Sequence, residues 1–409
     1  MTTATGVTAI QLLRSPNFGA LWLAQVASRF GDPITLVALA YVSYVRTHSA
    51  LITALAVVMA TVPNALFGVF GGVLADAVGH KRAMVTCDLA RVAIVASVPI
   101  TLALNLPLLV PYALVFVAAA CGAVFNPARL ALVPRIVGAH ELSSANALTY
   151  SSDRAVEVLG ALAAGVLVAT VGERAFYVDA LTFLVSAALL LRIHVDEQRR
   201  PLMLHTLGRE AREGLRFLWR HAVLRANTIF SLVCQLSLPV ASSLAPSLIF
   251  QRFAGGNAEL GASQFGIAEG AIAAGAVVSG LVIAPQLNRV AKGRLLLVGF
   301  AIYGLVLIAL AFAPTFEIAA VLFALGGIVN VLFYVPNVTI SQELTPPELR
   351  ARVFGARIAL LNLSWLPIIV ITGAAADAAG VPLLIALAGA VTLAGAIVGA
   401  FIPIVRDVP

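Results

Sequence analysis

At 409 residues, 61% hydrophobic and only 11% charged, with a mean hydropathy of +1.00, the chain has far more apolar surface than a soluble core of this length can hide. The net charge of +7 and pI near 9.8 do not indicate nucleic acid as a partner, because the cations recur at the ends of apolar runs and form no patch with interleaved aromatics. A soluble globular protein is excluded, and the composition describes a polytopic membrane protein.

A membrane helix needs about 20 apolar residues. Taken in chain order, such runs are predicted at 18–44, 50–75, 83–104, 108–133, 143–171, 174–193, 222–250, 264–287, 295–313, 317–342, 353–376 and 381–404. The first contains Arg29 and Asp32, which interrupt what would be the apolar core of a cleavable leader, so the N-terminus is expected in the cytoplasm. Between the second and third runs the chain reads Gly72-Val73-Leu74-Ala75-Asp76-Ala77-Val78-Gly79-His80-Lys81-Arg82. Small residues there allow close helix approach, Gly79 lets the chain reverse, and Lys81 and Arg82 stay in water beside anionic headgroups.

After the sixth run comes the one long charged segment, 194–221. Leu204, Leu207, Ala211, Leu215 and Leu218 recur there at helical spacing, while Arg209, Arg212, Arg216 and Arg220 line the other side. This predicts an amphipathic helix on the inner leaflet, linking a bundle at 1–193 to another at 222–409. The halves read as related: the turn at 284–294 repeats the plan of 72–82, with Asn288 where the acid stood. With the N-terminus inside, Lys81, Arg82, the arginines of 199–220, Lys292, Arg350, Arg352 and Arg406 all fall in the cytoplasm. Only Arg46, Arg174 and Arg252 fall outside. That asymmetry places both termini on the cytoplasmic side, and a bacterial inner membrane is the expected location.

The pattern G-x-L-A-D-x-x-G-x-K-R resembles the loop between helices two and three of the major facilitator superfamily. A narrower likeness, to the macrolide-efflux and enterobactin-exporter-like drug:proton antiporter-3 group, rests on Arg14-Ser15-Pro16-Asn17-Phe18, Asp88-Leu89-Ala90-Arg91, Phe125-Asn126-Pro127-Ala128-Arg129, Asp179-Ala180-Leu181-Thr182-Phe183-Leu184 and Arg350-Ala351-Arg352-Val353-Phe354-Gly355. The resemblance implies an all-α fold of twelve transmembrane helices in two pseudo-symmetric six-helix bundles. It also implies a substrate site at the midplane, and a monomer that exports amphipathic small molecules by proton antiport and alternating access. It needs no cofactor beyond the proton gradient.

An ionisable group at bilayer depth costs at least about 2.5 kcal/mol, so each one needs a partner or a wet cavity. Arg29 and Asp32 share a face of the first run, and Asp153, Arg154 and Glu157 lie at similar depth in the fifth. Asp32 and Glu157 are expected near one another with Arg29 or Arg154 between, as proton-coupling groups or as a permanently ionised cluster. Glu269, a turn or two into the eighth run, is expected to titrate as a further proton-coupling group or bind a cationic substrate, or else to snorkel to the outer interface, and Asp179 reads as structural. By resemblance, Gly72, Asp76, Gly79, Lys81, Arg82, Asp88, Arg91, Arg129 and Arg357 form a conformational latch, with Asp76 paired to Arg129. Tyr41, Asn64, Phe67, Asn126, Gln235, Asn330, Tyr334, Asn337, Asn362 and Trp365 are candidates for a substrate wall, being apolar and aromatic groups with sparse amides.

No Walker A loop, GxSxG or HExxH is present, and Cys87, Cys121 and Cys234 lack metal-ligand spacing, so enzyme chemistry has no parts here. Export of a siderophore or movement of a lysolipid is the alternative within transport. A non-transporting scaffold or receptor is the alternative outside it, and would not need Asp32, Glu157 and Glu269 at depth.

Overall fold

Hydrocarbon offers no water to satisfy backbone amides, so a chain this apolar can settle only into elements that bond to themselves. A computed structural model describes residues 9–138, 141–195, 204–280, 290–346 and 349–408, and every regular element among them is helical. The helices are α1 (Ala9–Arg14), α2 (Pro16–Thr47), α3 (Ala50–Val78), α4 (His80–Ala103), α5 (Leu109–Ile136), α6 (Leu142–Val171), α7 (Ala175–Leu191), α8 (Leu204–Arg220), α9 (Ala222–Cys234), α10 (Ser237–Leu248), α11 (Ala258–Val278), α12 (Lys292–Ala311), α13 (Phe316–Glu343), α14 (Arg350–Ala379), α15 (Val381–Ala400) and α16 (Pro403–Arg406). Among the described residues, 9 stretches are long and apolar enough to cross a membrane. In chain order α2 to α7 and α9 to α15 overlap the predicted runs, and the eighth run beyond residue 280 lies outside the described residues. The seventh run is divided into α9 and α10 by a turn at Gln235 and Leu236.

The chain forms two compact units, one of residues 1–39 with 59–203, the other of residues 40–58 with 204–409. In the first unit α4 packs against α5 and α7. The reversal into α4 is made at Gly79, whose φ of 102° few side chains could adopt. Lys81 then donates to the carbonyls of Leu191 and Ile193, at 3.1 and 2.6 Å. A cation thereby sits at the C-terminal end of α7, where the helix dipole favours it.

In the second unit α12 packs against α13 and α15, α11 against α13, and α8 against α14. Phe300 and Phe333 stack at 4.4 Å, with Tyr303 edge-on to Phe333, and join α12 to α13. The charged stretch read from sequence as a surface helix is docked on a neighbour. Leu218 is fully buried, Glu213 pairs with Arg352 at 2.7 Å, and a Cβ on Gly214 would fall 2.3 Å from the Arg352 carbonyl oxygen.

Candidate functional site

Asp88 and Arg91 stand one turn apart on the face of α4 that packs into the first unit. Arg91 donates from Nη2 to Asp32 of α2 and from Nη1 to the Ser28 hydroxyl, the latter at 3.3 Å. Asp88 Oδ1 is 3.9 Å from Nη1. The guanidinium also lies 3.7 Å from the centroid of the Phe183 ring of α7, a cation–π contact. Asp179, one turn before Phe183, is fully buried; it accepts from the Thr35 hydroxyl and, at 3.3 Å, from Thr182, and it is within electrostatic reach of Arg91.

Gly31 makes this approach possible, since a Cβ there would fall 2.0 Å from Asp179 Oδ1 and 2.3 Å from Thr182 Oγ1. Asp88 is 0% exposed, and neither of its oxygens has a hydrogen-bond partner among the described residues. One permanent cation thus bonds to Asp32, stands beside Asp88 and lies within electrostatic reach of Asp179, in apolar helices where each uncompensated charge is expensive.

A second polar set joins α2, α5 and α6. Asp153 accepts from Gln25 and pairs with Arg129 at 3.4 Å. Arg29 donates to Asn126 Oδ1 at 3.1 Å, and Trp22 Nε1 donates to the Ser152 hydroxyl at 2.8 Å. Both sets use residues one turn apart on α2, so this helix is the common wall.

The structure rearranges the pairs expected from sequence. Asp32 is bound to Arg91, and the expected partner Glu157 instead forms a local pair with Arg154, at 2.7 Å, with its side chain 47% exposed. An i, i+3 partner on the same helix is reached with little ordering, so Glu157 has no need of α2. Arg29 goes to the neutral Asn126.

The latch set also separates. Asp76 bonds to His80 at 2.9 Å and not to Arg129, which belongs to Asp153. Asp88 and Arg91 join Asp32. Arg82 is exposed, and Arg357 is buried among Asn337, Ser341 and Ser231. Asp179, read from sequence as structural, belongs to the Arg91 cluster.

Of the substrate-wall candidates, Asn337 is committed to hydrogen bonds with Asn227, Ser231 and Arg357, which makes it helix-packing glue. Phe67 meets Phe116 edge-on at 6.1 Å, Gln235 is buried, Tyr334 is exposed, and Tyr41, Asn330 and Trp365 are half-buried. Glu269 of α11 is half-buried and partnered. The surroundings of Gly72 and the side chains of Asn64 and Asn362 lie outside the described residues, as does most of the repeated turn at 284–294.

The sequence profile described as "transmembrane secretion effector" matches residues 7–407. The multidrug efflux pump Tap of Mycolicibacterium fortuitum is 27% identical over 410 residues, covering 96% of this chain and 97% of that one. The putative bacilysin exporter BacE of Bacillus subtilis is 30% identical over 252 residues, or 60% of this chain and 61% of that one. Among solved structures, the nucleoside transporter NupG aligns with a TM-score of 0.68 at 13% identity, covering 93% of this chain and 98% of its own. A D-xylose-proton symporter aligns with a TM-score of 0.65 at 14% identity, covering 95% and 97%. At such identities the likeness is one of fold.

Proposed function

The chain belongs to the transmembrane secretion effector family of major facilitator transporters, and from that premise we propose that it is a secondary exporter of amphipathic small molecules, of the multidrug or macrolide kind, that exchanges them for protons by alternating access. The observation that carries the coupling is the Arg91 cluster: Asp32, Asp88 and Asp179 share one guanidinium. Such a set holds one proton when its cavity faces one side and releases it on the other, because three negative charges on one positive charge are poorly tolerated at low dielectric.

Asp32 is the member that exchanges with water, its side chain being 38% exposed while that of Asp88 is 0%. Asp153 and Arg129 form a second, fixed pair that positions α2. The reversal at Gly79, flanked by Asp76 at the end of α3 and by Lys81 and Arg82 at the start of α4, biases the transition between states. The protein works as a monomer in a bacterial inner membrane with both termini in the cytoplasm, and needs no cofactor beyond the proton gradient. The efflux-pump and exporter names of the relatives support the direction of transport.

The test is transport in proteoliposomes with an imposed pH gradient, using a macrolide, a lipophilic cation and a siderophore as probes. Proton movement coupled to one probe in wild type, and lost in Asp32→Asn, supports the reading. Full coupling in both Asp32→Asn and Asp88→Asn overturns it, and flux that follows Na⁺ instead of pH reassigns the ion.

A further inference from the structure

Arg357 of α14 is 4% exposed, and no acid pairs with it among the described residues. Its hydrogen-bond partners are all neutral. Nη1 donates to the Ser341 hydroxyl at 2.7 Å and to the Asn337 carbonyl at 3.3 Å; Nη2 donates to Ser231 Oγ at 3.2 Å and to Asn337 Oδ1. Nε has no acceptor. Ser231 Oγ already accepts from Arg357 and from Asn337 Nδ2, the latter at 3.0 Å, so its own proton is free to donate. A buried guanidinium with neutral partners keeps its hydrogen bonds but lacks the opposing charge that makes burial tolerable.

The fold has a weak point next to this group. The transmembrane run containing Ser231 is interrupted one turn later at Gln235 and Leu236, between α9 and α10. The Cys234 carbonyl at the break accepts from the hydroxyls of Ser237 and Thr392, at 3.1 and 3.0 Å. Broken membrane helices allow a segment to swing while its freed backbone groups stay satisfied.

We propose that Arg357, with Ser231, is the binding site for a small monovalent anion, a carboxylate or a halide, which takes the Nε–H and the Ser231 hydroxyl as donors and supplies the missing counter-charge. The anion enters when α9 bends at the 235–236 break. Its source is either a carboxylate carried by the transported molecule or a halide from solution. The site lies in the second unit, apart from the Arg91 cluster, and stands whether or not transport is proton-coupled.

The test is thermal unfolding of the purified full-length protein in chloride-free isethionate buffer. Sodium acetate or sodium chloride is titrated in at constant ionic strength. Wild type and Arg352→Gln, which removes a half-buried arginine of the same helix that pairs with Glu213, should show a saturable rise in midpoint, and Arg357→Gln none. Saturation by acetate alone identifies a ligand carboxylate, and saturation by chloride a solution halide. A saturable rise that survives in Arg357→Gln, or no saturable rise in wild type with either anion, overturns the proposal. If Arg357→Gln does not fold, Ser231→Ala decides: half-saturation should move about tenfold higher, equivalent to ~1.4 kcal/mol, and an unmoved curve overturns the assignment.

Discussion

Asp32 and Arg91 lie 59 positions apart in the chain and are bonded to each other across α2 and α4. The contact makes Arg91 the counter-ion of Asp32, and leaves Asp88 and Asp179 to share what remains of its charge.

Arg91→Gln leaves acids in apolar surroundings with no cation. The expected cost is about 3–5 kcal/mol, since removing one partner of a buried pair strands the other. Asp88→Asn in the same chain should recover part of that loss. Thermal unfolding in detergent of the single and double variants checks this, and simple additivity would mean that Asp88 does not sense Arg91.

Gly31→Ala puts a methyl group 2.0 Å from Asp179 Oδ1. Overpacking of this kind costs about 1–3 kcal/mol. Because the displaced group belongs to the cluster, proton-coupled flux should fall together with stability. The same substitution in an Asp179→Ala, Thr182→Ala background, which removes both close atoms, should be nearly silent in both assays.

Asp377, near the end of α14, accepts from the Ala50 amide at 2.7 Å and from the Ser49 hydroxyl at 2.6 Å, and so caps the first turn of α3 from a distant helix. Asp377→Ala should cost about 0.5–2 kcal/mol, the range of a lost N-cap. In a double-mutant cycle with Ser49→Ala a positive coupling energy is expected, and strict additivity would show that the two groups act separately.

Gly214→Val drives a branched side chain toward the Arg352 carbonyl and should lift α8 from α14. Limited trypsin digestion should then cut at Arg212 or Arg216 at least about tenfold faster than in wild type. Rates follow the population of the open form, and ~1.4 kcal/mol of lost docking gives that factor. Unchanged cleavage would mean that the helix is held by other contacts.

Composition and periodicity were enough for the membrane class and the helical runs, because hydrocarbon allows a segment of about 20 apolar residues few outcomes besides a helix. The buried charges were legible as a list: Arg29, Asp32, Asp88, Arg91, Arg129 and Asp153 are conspicuous in apolar runs. Their pairing was not legible. Spacing along one helix shows which groups share a face, as read for Arg29 with Asp32. It carries no information on which neighbouring helix that face meets. Only tertiary packing gave Asp32 to Arg91, Asp153 to Arg129 and neutral partners to Arg357, because rotation and depth of each helix are set by contacts such as Gly31 against Asp179 that join residues distant in sequence.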